Sequence, residues 1–104
     1  MVVSVNKIKK SILKLKICCF FHRNPAVVDT ARNIALWINH DLKEVEKTLE
    51  SLVDNKILLA HRTSSTIAYA YTQDEDVISE IEKVLDDNKS KIQEFTTVSK
   101  KEGG

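Results

Sequence analysis

Few residues in this chain have the chemistry for catalysis or metal binding. They are three histidines, two cysteines and a short acidic run. A zinc site needs three or four nitrogen, sulfur or carboxylate ligands brought together from suitable spacings. His22, His40 and His61 are far apart and Cys18 and Cys19 are adjacent, so neither set supplies that pattern. Neighbouring cysteines in a helix do not reach disulfide geometry. The pair is therefore expected as free, buried thiols, which suits a reducing cytoplasm. Asp86-Asp87-Asn88 offers oxygen ligands but lacks the spacing and the glycine of a calcium loop. Both glycines close the chain, so no glycine-rich loop is present to cradle a phosphate. Neither an enzyme nor a bound metal or cofactor is expected. Trp37 is expected in the core or at an interface rather than as a stacking platform.

Charge is the remaining chemical signal, and its placement says more than its total. The formal net charge is +1 over 104 residues. Residues 1–24 nevertheless hold six bases (Lys7, Lys9, Lys10, Lys14, Lys16 and Arg23) and no acid, whereas residues 74–104 hold nine acids against five bases. Such polarity guides a partner even when the net charge is near zero. An apolar content of 42% with 30% charged residues fits one soluble domain with a modest core. The longest uncharged apolar run, Ile17–Phe21, is too short for the core of a signal peptide. No stretch approaches the roughly 20 apolar residues that span a bilayer. A cytoplasmic protein without membrane contact is expected.

Hydrophobic spacing predicts the elements that carry these charges. A first helix is predicted from about Asn6 to Phe21, with Ile8, Ile12, Leu15 and Cys19 on one stripe and Leu13, Ile17 and Phe20 widening it. Ile12–Ile17 also alternates in part, as a strand would, but the length favours a helix. Asn24-Pro25 ends it. Ala26–Val28 is a candidate minimal strand. Asp29 is the expected cap of a second helix that buries Ala31, Ile34, Ala35 and Ile38. Asn39-His40 breaks the pattern, and Asp41 with Glu44 three residues on opens a third helix in the manner of a capping box. Leu42, Val45, Leu49, Leu52 and Val53 form its inner stripe, and Asn55 is the candidate left-handed residue at its end. Ile57–Arg62 and Thr66–Thr72 read as a hairpin, with Ile67, Tyr69 and Tyr71 on one face. A last helix begins near Asp74-Glu75-Asp76. In it Ile78, Ile81, Leu85, Asn88, Ile92 and Phe95 recur in three- and four-residue steps, a heptad-like seam.

Taken together, the pattern Ala31-x-x-Ile34-Ala35, the break at Asn39-His40, Val45-x-x-x-Leu49-x-x-Leu52-Val53, and Asn55-Lys56-Ile57-Leu58 leading into a hairpin resembles the winged helix-turn-helix superfamily of small bacterial and archaeal transcriptional regulators. The resemblance spans about Asn6 to Leu85. It implies an α+β fold, mainly α, with a three-helix core, a two-stranded wing and a C-terminal helix. It also implies double-stranded DNA as partner, with the third helix in the major groove and the wing on the backbone or minor groove. Carried over by position, Asn39, His40, Lys43, Glu44 and Lys47 face the bases. Arg62, Thr63, Ser64 and Ser65 are the wing contacts, and Thr30 and Arg32 meet phosphate.

The third helix departs from that pattern in its charge. From Asp41 to Asp54 it carries five acids against Lys43 and Lys47, and DNA affinity comes largely from neutralised phosphates. The alternative is a winged-helix module that binds no DNA and instead takes a protein partner with a basic surface. The seam of the last helix, over about residues 75–97, is expected to pair two copies into a homodimer, with Asn88 fixing register. Residues 1–97 are expected as a single domain, with residues 98–104 as a flexible tail.

Overall fold

The computed structural model describes residues 11–89. Ser11 opens its first element: its hydroxyl accepts the Lys14 backbone N–H at 3.2 Å and caps α1, Ile12–Arg23. That start is later than the expected one near Asn6, which lies outside the described residues. The helix also runs two residues past Phe21, placing His22 and Arg23 in its last turn, where cations oppose the helix dipole. Its buried face is Leu13, Leu15, Ile17, Cys18, Cys19 and Phe21. Ile12, expected on the inner stripe, is instead exposed.

The chain then passes through β1 (Val28–Thr30) directly into α2 (Ala31–Ile38). Thr30, rather than the expected Asp29, caps α2: its hydroxyl accepts the Asn33 N–H, while Asp29 Oδ1 accepts from Thr30 N and Asn33 Nδ2. α2 closes on Asn39, which takes the left-handed conformation at φ 56°. Asn39 N–H and His40 N–H donate back to Leu36 and Ala35 carbonyls, satisfying groups the helix end leaves open. α3 (Leu42–Asp54) follows, capped by Asp41 through the Glu44 N–H at 3.1 Å. The cap is as expected. The reciprocal half of a capping box is not formed, because the Glu44 carboxylate turns to His40 Nε2 at 3.4 Å.

At the end of α3 the left-handed position belongs to Lys56 (φ 67°), not to Asn55. Lys56 N–H bonds the Val53 carbonyl and Ile57 N–H bonds the Leu52 carbonyl, while the Ile57 and Leu52 side chains are both fully buried. This is the Schellman arrangement with its apolar contact. The exit sends the chain into β2 (Leu58–Arg62), and β3 (Ile67–Tyr71) returns antiparallel to it. The sheet has three strands, the two of the expected wing and β1, in the order β1-β3-β2. Val28 faces Ala70, and Thr30 faces Ala68. The expected minimal strand at Ala26–Val28 therefore moves two residues along, to where β3 supplies hydrogen-bonding partners.

α4 (Glu75–Asp87), capped by Asp74, packs Val77, Ile81, Val84 and Leu85 against the same core. The core also contains Phe21 and Ile17 of α1, Ile34 of α2 and Leu49 and Leu52 of α3. Each such side chain contributes about 1.5–3 kcal/mol on burial, so one shared core holds the helix pair and the hairpin in fixed relation. Among the described residues no helix is long and apolar enough to cross a membrane.

Candidate nucleic-acid interface

Three elements converge beside α3. A groove of about 500 Å3 is lined by Thr30 and Arg32 at the start of α2, Leu42 and Glu46 on α3, and Thr63, Ser64, Ser65 and Thr66 at the hairpin tip. A second, of about 420 Å3, adjoins it along the turn between α2 and α3 and is lined by Arg32, Leu36, Asn39, His40 and Asp41. Arg32 lines both. The structure thus brings together seven of the expected contact residues, Thr30, Arg32, Asn39, His40, Thr63, Ser64 and Ser65, along two adjoining grooves. Lys43, Glu44 and Lys47 line neither groove. Lys43 and Lys47 sit one turn apart on the exposed side of α3.

The hydroxyls in the first groove differ in what they have left to offer. Thr63 Oγ1 accepts from the N–H groups of Ser65 and Thr66 and donates to the Thr66 carbonyl, so it holds the tip in shape. Ser64 and Ser65 stand exposed on that tip. The Thr30 hydroxyl caps α2 with one lone pair and keeps its proton and its second lone pair for another partner.

The acids of α3 are also unequal. Asp41 is a cap, and Glu44 pairs with His40. Glu50 bridges to the hairpin: one oxygen lies 3.4 Å from Arg62 Nη2, and the other accepts the Tyr69 hydroxyl at 2.8 Å. Burial first, then the Glu50 hydrogen bond and charge, push the Tyr69 phenol up to about 12. The Glu50–Arg62–Tyr69 cluster ties the wing to α3, and it was not legible beforehand. The spacing placed Tyr69 on one face with Ile67 and Tyr71 but did not say which residue of α3 it would meet. The cluster also means that Arg62, an expected phosphate contact, is already paired. Glu46 remains the carboxylate that faces the groove. Among the described residues Arg32, Lys43 and Lys47 are exposed and enter no ion pair.

Of the expected pairing seam, Ile81 and Leu85 are buried in the chain's own core and Ile78 is half-buried against it. Asn88 caps α4, its amide donating to the Val84 carbonyl at 2.8 Å. Ile92 and Phe95 lie outside the described residues, as do the ends of the expected 1–97 domain and its tail. A seam continuous from Ile78 to Asn88 is therefore not free for a second copy, because the three-to-four spacing that marks an interface also marks a helix packed on its own domain.

Cys18 is fully buried, and burial raises its thiol to about 12; Cys19 is raised by the same cause. Both are free thiols. Among the described residues, no group of three or more His, Cys, Asp and Glu side chains is placed to hold a metal ion.

No protein-family model matches the chain, and neither does any curated protein. Its structure is similar to the crystal structure of the AntR antimony-specific transcriptional repressor, with a TM-score of 0.67 at 22% sequence identity, over 88% of this chain and 79% of that one. With the helix pair, the Asn39 turn and the β2–β3 hairpin, that likeness shows that the chain has the winged helix-turn-helix fold.

Proposed function

We propose that this protein is a DNA-binding transcriptional regulator that sets α3 in a major groove of duplex DNA and the β2–β3 hairpin on the adjoining backbone. The observation that carries this reading is the groove where Thr30 and Arg32 meet the hairpin tip, next to a helix whose Lys43 and Lys47 are exposed and enter no ion pair among the described residues. Phosphate contacts from separate elements fix register, and side chains on the helix then read base edges. The acidity of α3 is less of an obstacle than its composition suggests, because Asp41, Glu44 and Glu50 are each engaged within the domain. A cytoplasmic location goes with this role, and the buried free thiols are compatible with it. Pairing of two copies beyond the described end of α4 is part of the proposal, and it rests on Ile92 and Phe95 in the sequence. The antimony specificity named for AntR is not carried over. Cys18 and Cys19, the only soft sulfur donors of thiol type, are adjacent and buried in the core.

The test is fluorescence anisotropy of a random-sequence duplex pool, titrated with protein from low to physiological salt. Binding should weaken with salt at a slope of about −0.9 per neutralised phosphate. Lys43→Glu with Lys47→Glu should abolish it while the circular dichroism spectrum is unchanged. Arg62 is better left alone, since a glutamate there would oppose Glu50. Absence of binding at low salt would overturn the proposal in favour of an interaction module, whose partner would then present a basic surface to α3. Equilibrium sedimentation reads the dimer directly, and a monomer at micromolar concentration would remove that part.

A further inference from the structure

An apolar ridge runs along the outer side of α2 to the end of α1. Leu36 and Trp37 are 72% and 71% exposed. The Phe20 ring lies 6.1 Å from the Trp37 ring, so the indole rests on α1 by one side only. Tryptophan is highly buried on average, and an exposed aromatic beside an exposed leucine is the kind of patch that marks an interaction site. Packing of the domain does not require it, because α2 already meets the core through Ala31, Ile34 and Ala35.

The rim of the ridge is cationic. Arg32 lies one turn before Leu36 and lines the same groove, and Arg23 lies one turn after Phe20. Both are exposed and enter no ion pair among the described residues. From Ile12 to Ile38 the only acid is Asp29, and its carboxylate is held by Thr30 N and Asn33 Nδ2.

We infer that Phe20, Leu36 and Trp37 form a docking surface for an acidic amphipathic helix of a partner protein. Its apolar row would cover the ridge, and its carboxylates would meet Arg23 and Arg32, the helix-in-groove mode of recognition. The charges argue against a second copy of this chain. Two-fold pairing of the ridge with itself would set Arg23 and Arg32 near their own counterparts, and like charges across an interface are costly. The acidic α4 of another copy offers no open apolar row, since Val77, Ile81, Val84 and Leu85 are buried in its own core. The surface shares Arg32 with the hairpin groove and Leu36 with the groove beside it, so a bound duplex would compete with the partner for Arg32, but the inference does not rest on DNA binding.

Trp37 is the only tryptophan, so its emission reports directly on the ridge. The probe is a synthetic helical peptide with leucines at i, i+3, i+4 and i+7 and glutamates elsewhere. Its controls are the same peptide with lysine for glutamate, and a single-stranded thymidine oligonucleotide. The glutamate peptide should shift Trp37 emission to the blue, saturably and less tightly as salt rises, while both controls leave it unchanged. Arg23→Gln with Arg32→Gln should weaken binding about fivefold, as two exposed charge pairs would. Leu36→Ala should weaken it about tenfold or more, as loss of an apolar anchor does. Circular dichroism confirms that these exposed-site variants fold. No shift with the glutamate peptide, or an equal shift with the lysine peptide, overturns the inference. A shift with the oligonucleotide alone assigns the ridge to single-stranded nucleic acid. Emission that is already blue and concentration-dependent in the free protein assigns it to a second copy.

Discussion

Replacing Glu50 by glutamine tests whether the wing is locked to α3 by one carboxylate. Glu50 makes two bonds of different weight. Its contact with Arg62 joins side chains that are 45% and 55% exposed, so it is worth about 0–1 kcal/mol after solvent screening. Its contact with Tyr69 is a 2.8 Å bond from a buried phenol to a carboxylate, of a class worth about 1.5–3 kcal/mol. Glutamine keeps an acceptor for Tyr69 but loses the charge, and neutral bonds are roughly half as strong. The expected loss is therefore about 1 kcal/mol, or about 4–8 °C in Tm for a domain of this size. Two further readouts separate the contacts. Absorbance titration at alkaline pH should show the Tyr69 phenol titrating lower than in the unsubstituted protein, while burial, the larger cause, still holds it above the ordinary 10.0. In DNA titrations the freed Arg62 should steepen the salt dependence by about 0.9, one more phosphate neutralised. An unchanged Tm with an unchanged phenol titration would refute the cluster. An unchanged salt slope in a variant that still binds DNA would refute the reading that the Glu50 pair withholds Arg62 from phosphate.

Three other outcomes follow from the same geometry. Lys56→Gly should raise stability by up to about 1 kcal/mol, seen as a higher urea midpoint at constant slope, because a side chain at φ 67° carries a steric cost that glycine avoids. Asp41→Ala should lower stability by about 1 kcal/mol in the same assay, since the cap of α3 is lost. Stability should also decline in alkali. Burial raises Cys18 and Cys19 above the ordinary 9.0 and Tyr69 and Tyr71 above 10.0, so the folded chain holds protons that the unfolded chain releases. The contribution is whole below about pH 9 and is lost as pH rises toward and past 12. Urea midpoints measured from pH 8 upward check this, and a flat profile would contradict the burial of these groups.

What could be read from the chain alone was local. Ala31, Ile34 and Ala35, then Val45, Leu49 and Leu52, repeat at helical spacing, and Asp41 stands three residues before the N–H it caps, so α2, the turn and α3 follow from neighbours within a few positions. That Ile67, Tyr69 and Tyr71 share one face of β3 follows in the same way from alternation, while the burial of Tyr69 and Tyr71 on it comes from packing. Contacts between segments distant in sequence were not legible. β1 exists because β3 offers hydrogen bonds some forty residues on, and Thr30 rather than Asp29 caps α2 because the strand ends there. Asn tolerates the left-handed region more readily than Lys, yet the docking of Ile57 beside Leu52 selects Lys56 for that turn. Ile81 and Leu85 fit an interface seam and a core stripe equally well, and only the packing of α4 on the core chose the latter. In the same way, composition described α3 as an acidic helix, while the fold engages Glu50 with Tyr69 and Arg62 and, among the described residues, gives Lys43 and Lys47 no ion pair. Periodicity and capping act over one or two turns and are written in consecutive residues. Pairing of charges, exposure of Leu36 and Trp37 and the convergence of Thr30, Arg32 and the hairpin tip depend on which surfaces meet, and only the tertiary structure decides that.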